Sequence, residues 1–364
     1  MSIFILAILT ILLGSHFIVY YSLIVFFGIT KYKISLLVLF FILSVSFVLA
    51  SILVHIFNNV FVRTYYYISS LWLGALSYLF IFSLISLLIL GIFKIFHISF
   101  DLKIVGIIII FLTLLITGYG LYNANNPVVK NVDIKIKNLP EVWKQKKVVF
   151  ISDLHLGAII REGYLEKIVN MINDLNPSIV FITGDLLDGS DGSLDHLADY
   201  INTIKSDIYY VNGNHETYLG MTEVDKILQK TKIKELKDEF VDVDGVQIVG
   251  VNYKDRYGKL NIDGIFEKLK NTGFTKDKSS ILLYHEPVYI QEFSDFGINL
   301  QLSGHTHKGQ IWPFGYITNL LYKGKDYGLY TKDNYNLYTT NGIGTWGPPM
   351  RVGNTPEIVV LNLK

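Results

Sequence analysis

The chain contains no cysteine. Disulfides, thiolate metal ligands and a cysteine nucleophile are therefore excluded, and a transition-metal site here must use imidazole, carboxylate or amide ligands. Charge is nearly missing from the first third: between Met1 and Pro127 the charged residues are Lys31, Lys33, Arg63, Lys94, Asp101 and Lys103. The remaining 237 residues carry 27 Lys and Arg against 30 Asp and Glu, a formal charge of −3. The basic stripe that a duplex-binding surface needs is absent from this polar part. Internal repeats and low-complexity tracts are missing too.

What the first third has instead is four apolar stretches, 3–27, 34–57, 68–93 and 104–122, separated by short polar breaks. A helix rises about 1.5 Å per residue, so about 20 residues cross the hydrocarbon core of a bilayer. The first stretch has no basic lead-in and no small-x-small cleavage site, and three more follow it, which argues against a removable signal peptide. The pattern predicts a four-helix transmembrane region over 1–123, a junction over 124–143 and a catalytic domain over 144–364. His16 and His55 are the histidines inside the apolar runs. Without acidic partners nearby they read as packing or interfacial residues, not as an ion path. Lys31, Lys33, Lys94 and Lys103 lie in one set of breaks and Arg63 in the other. Counted over short loops, this bias places the C-terminal domain on the extracytoplasmic side, although Lys130, Lys135 and Lys137 beyond the fourth stretch narrow the difference.

The polar part holds short β-branched runs at 132–136, 148–152, 179–183, 208–212, 246–251, 280–284, 298–302, 337–340 and 357–363. Residues 164–175 put Leu165, Ile168, Val169, Ile172 and Leu175 on one helical stripe, with weaker helical patterns at 195–204, 224–229 and 264–269. Strand–helix alternation early and more strand later predicts an α/β sandwich with mixed β-sheets. His196 and the lysines of 230–237 read as surface residues.

The residues able to do chemistry follow the ends of the hydrophobic runs. VVFISDLHLG is closed by Asp153 and His155, and IVFITGDLLDG by Gly184, Asp185 and Asp188. IYYVNGNHE supplies Asn214, His215 and Glu216, SILLYHEP supplies His285, and LQLSGHTHKGQ supplies His305 and His307. Strand ends are rigid while the loops beyond them vary, which is why α/β proteins gather reactive groups there. Singly, each has a bland reading: Asp153 as a helix cap, His285 as a satisfied core histidine. Jointly they read as one shared metal site.

The order Asp-x-His, Gly-Asp-x-x-Asp, Gly-Asn-His-Glu, His, Gly-His-x-His resembles the calcineurin-like metallophosphoesterase superfamily over residues 148–364. With the apolar N-terminal region and the tail NGIGTWGPPMRVGNTPEI, it is most similar to the membrane-associated bacterial branch. The resemblance implies one divalent ion held by Asp153, His155, Asp185 and His307. It implies a second held by Asp185, Asn214, His285 and His305, with Asp185 bridging. His215 would then stand near the leaving group and Glu216 would brace the ligands, so that His215, Asp185 and Asn214 carry the catalysis. Mixed nitrogen and oxygen ligation admits Mn, Zn, Fe or Co. Two such ions about 3.5–4 Å apart clamp phosphate oxygens and activate water, and Asn214 would ligate without adding negative charge. Leu187 stands where purple acid phosphatases place a tyrosine ligand, so nothing suggests a tyrosinate–iron pair. Asp188 follows the family pattern. Lys308 is read either as a contact to a second phosphate or as an ordinary loop lysine. Arg351 is a further candidate, its guanidinium suited to bidentate phosphate binding.

The expected function is hydrolysis of a phosphate ester or pyrophosphate bond by a membrane-bound, divalent-metal-dependent enzyme. Four apolar helices make the bilayer a partner and point to a lipid-linked or envelope phosphate as substrate. The enzymatic rival is a nuclease or a general phosphodiesterase. The non-enzymatic rival is a membrane-anchored module that binds through a structural metal. A hydrophobic lip beside the metals would favour lipid, and a long positive channel would favour nucleic acid. A protein partner is unknown from the sequence, and the membrane part leaves a combined enzyme and docking role open.

Overall fold

Uncharged runs of Ile, Leu, Phe and Val favour the helix, which satisfies every backbone polar group internally. In the computed structural model, which describes residues 2–57, 59–98, 100–189, 197–254 and 260–364, they form α1 (Ser2–Phe27), α2 (Lys33–Ile56), α3 (Val60–Ile95) and α4 (Leu102–Ala124). All four are long and apolar enough to cross a membrane. α3 has 36 residues and begins well before the expected position 68. Asn59 caps it, its side chain accepting from the Val62 N–H at 3.0 Å, and the aromatic run behind the cap continues the helix. At the α-helical rise α3 is about 54 Å long, more than a bilayer core of about 30 Å needs.

The His16 Nδ1–H donates to the Leu12 carbonyl at 2.7 Å and Nε2 accepts from the Trp72 indole at 2.9 Å. Both ring nitrogens are used between α1 and α3, the packing role expected of it. The chain forms two compact units, Met1–Tyr122 with Gly347–Met350 and Asn123–Trp346 with Arg351–Lys364.

The second unit contains twelve strands among its described residues. The first six are β1 (Val128–Ile134), β2 (Val148–Ile151), β3 (Ile179–Thr183), β4 (Asp207–Val211), β5 (Lys234–Glu235) and β6 (Glu239–Val243). Then follow β7 (Val246–Gly250), β8 (Ser280–Leu283), β9 (Leu300–Ser303), β10 (Gly328–Lys332), β11 (Tyr335–Thr339) and β12 (Glu357–Leu363). They make two six-stranded sheets, ordered β1-β12-β2-β3-β4-β5 and β10-β11-β9-β8-β7-β6. In the first, β2, β3, β4 and β5 run parallel and β12 is antiparallel to β2. In the second, β7, β8, β9 and β11 run parallel, with β6 and β10 antiparallel at the edges. This is the expected α/β sandwich with mixed sheets.

Side chains alternate across a strand. Val148, Phe150, Ile179 and Phe181 therefore face Ile248, Ile281, Leu283, Leu300 and Leu302 between the sheets. Val149, Ile151, Val180 and Ile182 turn outward onto Leu165, Ile168, Val169 and Ile172 of the helix Glu162–Leu175. The second sheet is covered in the same way by Ile262–Asn271 and Ile290–Phe296. Strands buried on both faces read as continuous hydrophobic runs, which is how the sequence shows them.

Within the 124–143 junction, the strand indicated at 132–136 begins earlier, at Val128, and lies at the edge of the first sheet. β1 pairs in parallel with β12 from Val128↔Glu357 to Ile134↔Leu363. β5, β6 and β10 escape the pattern because they are short, only partly buried and interrupted by charged or polar residues. His196 and the start of the 195–204 helix lie outside the described residues.

Trp143 closes the end of the sandwich. It is fully buried among residues of both sheets, and its indole N–H donates to the Val243 carbonyl of β6 at 2.9 Å. Trp143→Ala is expected to destabilise the detergent-solubilised chain by about 3–5 kcal/mol, through the cavity and an unpaired carbonyl. Denaturant unfolding reads this directly; a loss below about 1 kcal/mol would show that the sandwich end tolerates the hole.

Candidate metal centre

Five parallel strands deliver the side chains. The loop after β2 carries Asp153 and His155, and that after β3 carries Asp185. Asn214 opens the helix Asn214–Leu219 beyond β4. His285 follows β8, while His305 and His307 follow β9. The backbone turns sharply at these points. Asp153, His155, Asp185, His305 and His307 all have left-handed φ, from 49° to 70°. For a residue with a β-carbon this costs about 1–2 kcal/mol. Strain concentrated on one set of polar side chains marks a functional site. Two glycines make the room. A methyl on Gly304 would lie 2.2 Å from Asp153 Oδ2, and one on Gly213 would lie 2.2 Å from Asp185 Oδ1.

The side chains converge in two groups around one carboxylate. Asp153, His155 and His307 offer ligand atoms within 4.8 Å of one another, and so do Asp185, His285 and His305. Asp185 Oδ1 is held by the His215 backbone N–H at 2.9 Å. Its Oδ2 lies 3.1 Å from His285 Nε2 and 3.8 Å from His155 Nε2, between the two groups. His285 Nδ1–H donates to the Thr183 carbonyl at 2.7 Å, which turns the Nε2 lone pair inward. There Nε2 meets Asn214 Oδ1 and His305 Nδ1, each at 3.1 Å, and Asn214 Oδ1 lies 2.9 Å from His305 Nδ1. In the other group His155 Nε2 and His307 Nε2 face each other at 3.0 Å.

A nest of acceptors like this fits cations. Asp153 Oδ2 and His155 Nδ1 are buried and have no hydrogen-bond partner. An unpaired carboxylate oxygen in the interior is costly unless positive charge meets it.

The titration directions agree. Burial, with the Asp185 charge adding to it, raises the Asp153 carboxyl above its usual range. Burial opposes the charge on Asp185 as well, but His285, His215 and His155 outweigh it and hold this carboxyl well below the usual range. Burial acts against a charged His285, yet Asp185 lifts it to about 10. Burial and His285 push His305 down to about 3. Burial, His155 and Arg351 hold His307 well below its ordinary value. The lowered basicity of His305 and His307 favours the neutral imidazole, the form that ligates. A cation entering beside Asp185 would compete with the proton of His285.

Glu216 braces the nest. Its carboxylate accepts from the backbone N–H groups of Asp185 at 3.0 Å, Leu187 at 2.9 Å and Gly213 at 2.6 Å. Burial and the Asp185 charge raise it to about 7. His215 donates from Nδ1 to the Asp188 carbonyl at 2.7 Å, and burial and His155 keep its pKa low. It also offers a ligand atom within 4.8 Å of those on His155 and Asp185. Asp188 Oδ1 sits 3.6 Å from His155 Nδ1 and 3.8 Å from His215 Nδ1.

The two substrate-contact candidates have partners within the chain. The Lys308 ammonium lies 4.3 Å over the Tyr327 ring. Arg351 is fully buried and donates to the carbonyls of Gly344 and Asn341 and to Asn354 Oδ1, with Nη2 3.2 Å from His307 Nδ1. Its guanidinium ties the 341–354 loop together beside His307. Glu286 is a residue the sequence reading missed. Its carboxylate stands 3.4 Å from His305 Nε2, and its place directly after His285 was the available signal.

A mixed-sheet α/β sandwich with a carboxylate, imidazole and amide nest at its strand ends is the build of a metal-dependent phosphoesterase. Residues 146–309 match the family described as calcineurin-like phosphoesterase. An uncharacterized metallophosphoesterase of Campylobacter jejuni is 36% identical over 253 residues, covering 65% of this chain and 63% of that one. Another, from Aquifex aeolicus, is 31% identical over 261 residues, covering 70% of this chain and 98% of that one. A transmembrane protein with metallophosphoesterase domain from Danio rerio is 32% identical over 280 residues, covering 71% of this chain and 62% of that one. This chain therefore belongs to the calcineurin-like metallophosphoesterase family, although it spans less than two thirds of the Campylobacter and Danio proteins.

Gly304→Ala tests the nest without removing a ligand. Its methyl would press on Asp153 Oδ2 and Ser152 Oγ. The expected result is metal affinity weakened about 10–100-fold with unchanged far-ultraviolet circular dichroism, the range seen when supports of metal ligands are altered. Elemental analysis after dialysis checks it; full metal retention would mean that the close approach of Gly304 is incidental.

Proposed function

We propose that the chain is a membrane-bound hydrolase of phosphate ester or pyrophosphate bonds that works with two divalent ions. The observation that carries this reading is the placement of Asp185 Oδ2 between His155 and His285, at 3.8 and 3.1 Å. One carboxylate oxygen reaching two ligand groups suits a bridging ligand. Asp153, His155, Asp185 and His307 would hold one ion, and Asp185, Asn214, His285 and His305 the other. Mn, Zn, Fe and Co all accept such nitrogen and oxygen donors. When bound, the ions polarise phosphate oxygens and lower the pKa of water.

The chain's own residues fix the geometry. Glu216 ties the loops after β3 and β4 together through three backbone N–H groups, so Asp185 and Asn214 keep their spacing. The Asp188 carbonyl fixes the His215 Nδ1 proton, leaving Nε2 as the atom able to accept or deliver a proton at the leaving oxygen. Asn214 adds an oxygen ligand without charge, preserving attraction for an anionic phosphoryl group.

A lipid-linked or envelope phosphate is the substrate class that four apolar helices support, because anchoring shortens the search for a substrate held in the same bilayer. The slightly acidic polar part weighs against nucleic acid. The lysine bias of the short loops supports an extracytoplasmic catalytic domain.

Two measurements test these statements. Protein loaded with Mn or Zn should hydrolyse at least one of a phosphomonoester, a phosphodiester and a lipid-linked pyrophosphate. Asp185→Asn should lower that rate on the order of 10³-fold, the scale for removing a group that stabilises charge in the transition state. Unchanged activity in Asp185→Asn would end the mechanism. Separately, a phosphatase reporter fused after Lys364 should be active in the periplasm or outside the cell; a signal confined to the cytoplasm would reverse the sidedness.

A further inference from the structure

The helix Gly315–Leu321 is built inside out. None of its residues is buried. Two of its polar side chains bond back to the protein: Thr318 Oγ1 donates to Asp326 Oδ2 at 3.1 Å, and Asn319 Nδ2 donates to Asp326 Oδ1 at 2.8 Å. Asp326 itself is buried, and its carbonyl accepts from Thr306 of the His305–His307 turn at 2.6 Å. The large apolar side chains turn away. Leu320 is 79% exposed and Tyr316 72%, one helical turn apart, with Ile317, Leu321 and the preceding Trp312 and Phe314 also exposed. A surface helix facing water has the opposite polarity. Single exposed apolar residues are ordinary, but a continuous cluster of this kind marks an interaction surface.

We infer that this face docks into the interfacial layer of a lipid bilayer, beside the His305–His307 turn. Three observations choose the occupant. The first is composition: aromatic rings around Leu and Ile are what the boundary between acyl chains and headgroups accepts. The second is charge. Lys323 and Lys325 follow the helix directly, and the only carboxylate between Ile311 and Leu329 is the buried Asp326, so the exposed rim is basic and suits anionic headgroups. The third is connectivity. α4 ends at Ala124 and β1 starts at Val128, so three residues tether the sheet to a helix fit to span a membrane. The helix is mounted on the ligand loop, since a methyl on Gly309 would lie 2.3 Å from the Gly315 nitrogen. Docking there brings headgroup phosphates to the edge of the metal nest. The inference needs the membrane helices but not the proposed reaction, and its test runs on metal-free protein.

The absence of cysteine makes the test direct. Leu320→Cys is labelled with an environment-sensitive fluorophore in the full chain, reconstituted in nanodiscs of phosphatidylcholine and phosphatidylglycerol. Glu267→Cys, exposed on the helix Ile262–Asn271, is the control. A lipid bearing a nitroxide near the top of its acyl chain should quench the label at 320 about threefold more than the label at 267, and iodide should do the reverse. Replacing Lys323 and Lys325 with Gln should reduce the lipid quenching at 320. Equal lipid quenching at the two positions would overturn the inference. So would protection of 320 from iodide without lipid quenching, which would mean that a second copy or another protein surface covers the helix.

Discussion

The carboxylate of Asp185 is the point on which the second unit is organised. It is buried, its Oδ1 is fixed by the His215 backbone and its Oδ2 is shared between imidazoles from two different sheets. A buried carboxylate is tolerated only where donors or cations surround it. The surrounding loops are arranged to meet that demand. Gly213 gives up its side chain to let the carboxylate approach, and Glu216 gathers three N–H groups that hold the neighbouring turns. The left-handed backbone at five of the converging residues belongs to the same arrangement. Several kcal/mol of unfavourable backbone are accepted so that side chains at strand ends point at one another instead of along the strands.

The sandwich makes this possible because its two sheets end together. β2, β3 and β4 bring Asp153, His155, Asp185 and Asn214 from one sheet, while β8 and β9 bring His285, His305 and His307 from the other. Only a packed interface between sheets keeps the two sets in register to within a hydrogen-bond length. Phe150, Phe181, Ile281 and Leu302, far from any chemistry, set those distances by filling the space between. Stability and site geometry are therefore one property here. A hole between the sheets would loosen ligands that it never touches.

Much of this was legible in the residues because each ligand closes a hydrophobic run, and such runs are visible wherever strands are buried on both faces. Asp153 after VVFIS and Asp185 after IVFITG could be placed before any fold was known. Other parts were hidden for definite reasons. β5 and β6 are short, partly buried and broken by charges, so periodicity gives little sign of them. Asn214–Leu219 has no apolar stripe; its helix depends on Glu216 reaching back to Gly213. The alternation at 132–136 shows part of β1, but its start at Val128 was hidden because its partner, β12, is far away in sequence. For Arg351, sequence shows that a loop has an arginine, not that the loop folds over it. Its burial is a tertiary fact.

The helix Gly315–Leu321 was hidden for a different reason. Reading pattern as structure assumes that apolar faces turn toward the protein and polar faces toward water. Here Thr318 and Asn319 find their partner in a buried aspartate, and Tyr316 and Leu320 are left outside. The same inversion holds for α1 to α4, whose exposed Ile, Leu and Phe are acceptable only if the medium around them is not water. In those helices length alone reveals the change of solvent. A seven-residue helix is too short to give that signal, and its orientation becomes informative only once its polar side chains are seen to point inward. The hydrophobic effect acts in both places with one sign, and the difference lies in which phase receives the apolar surface.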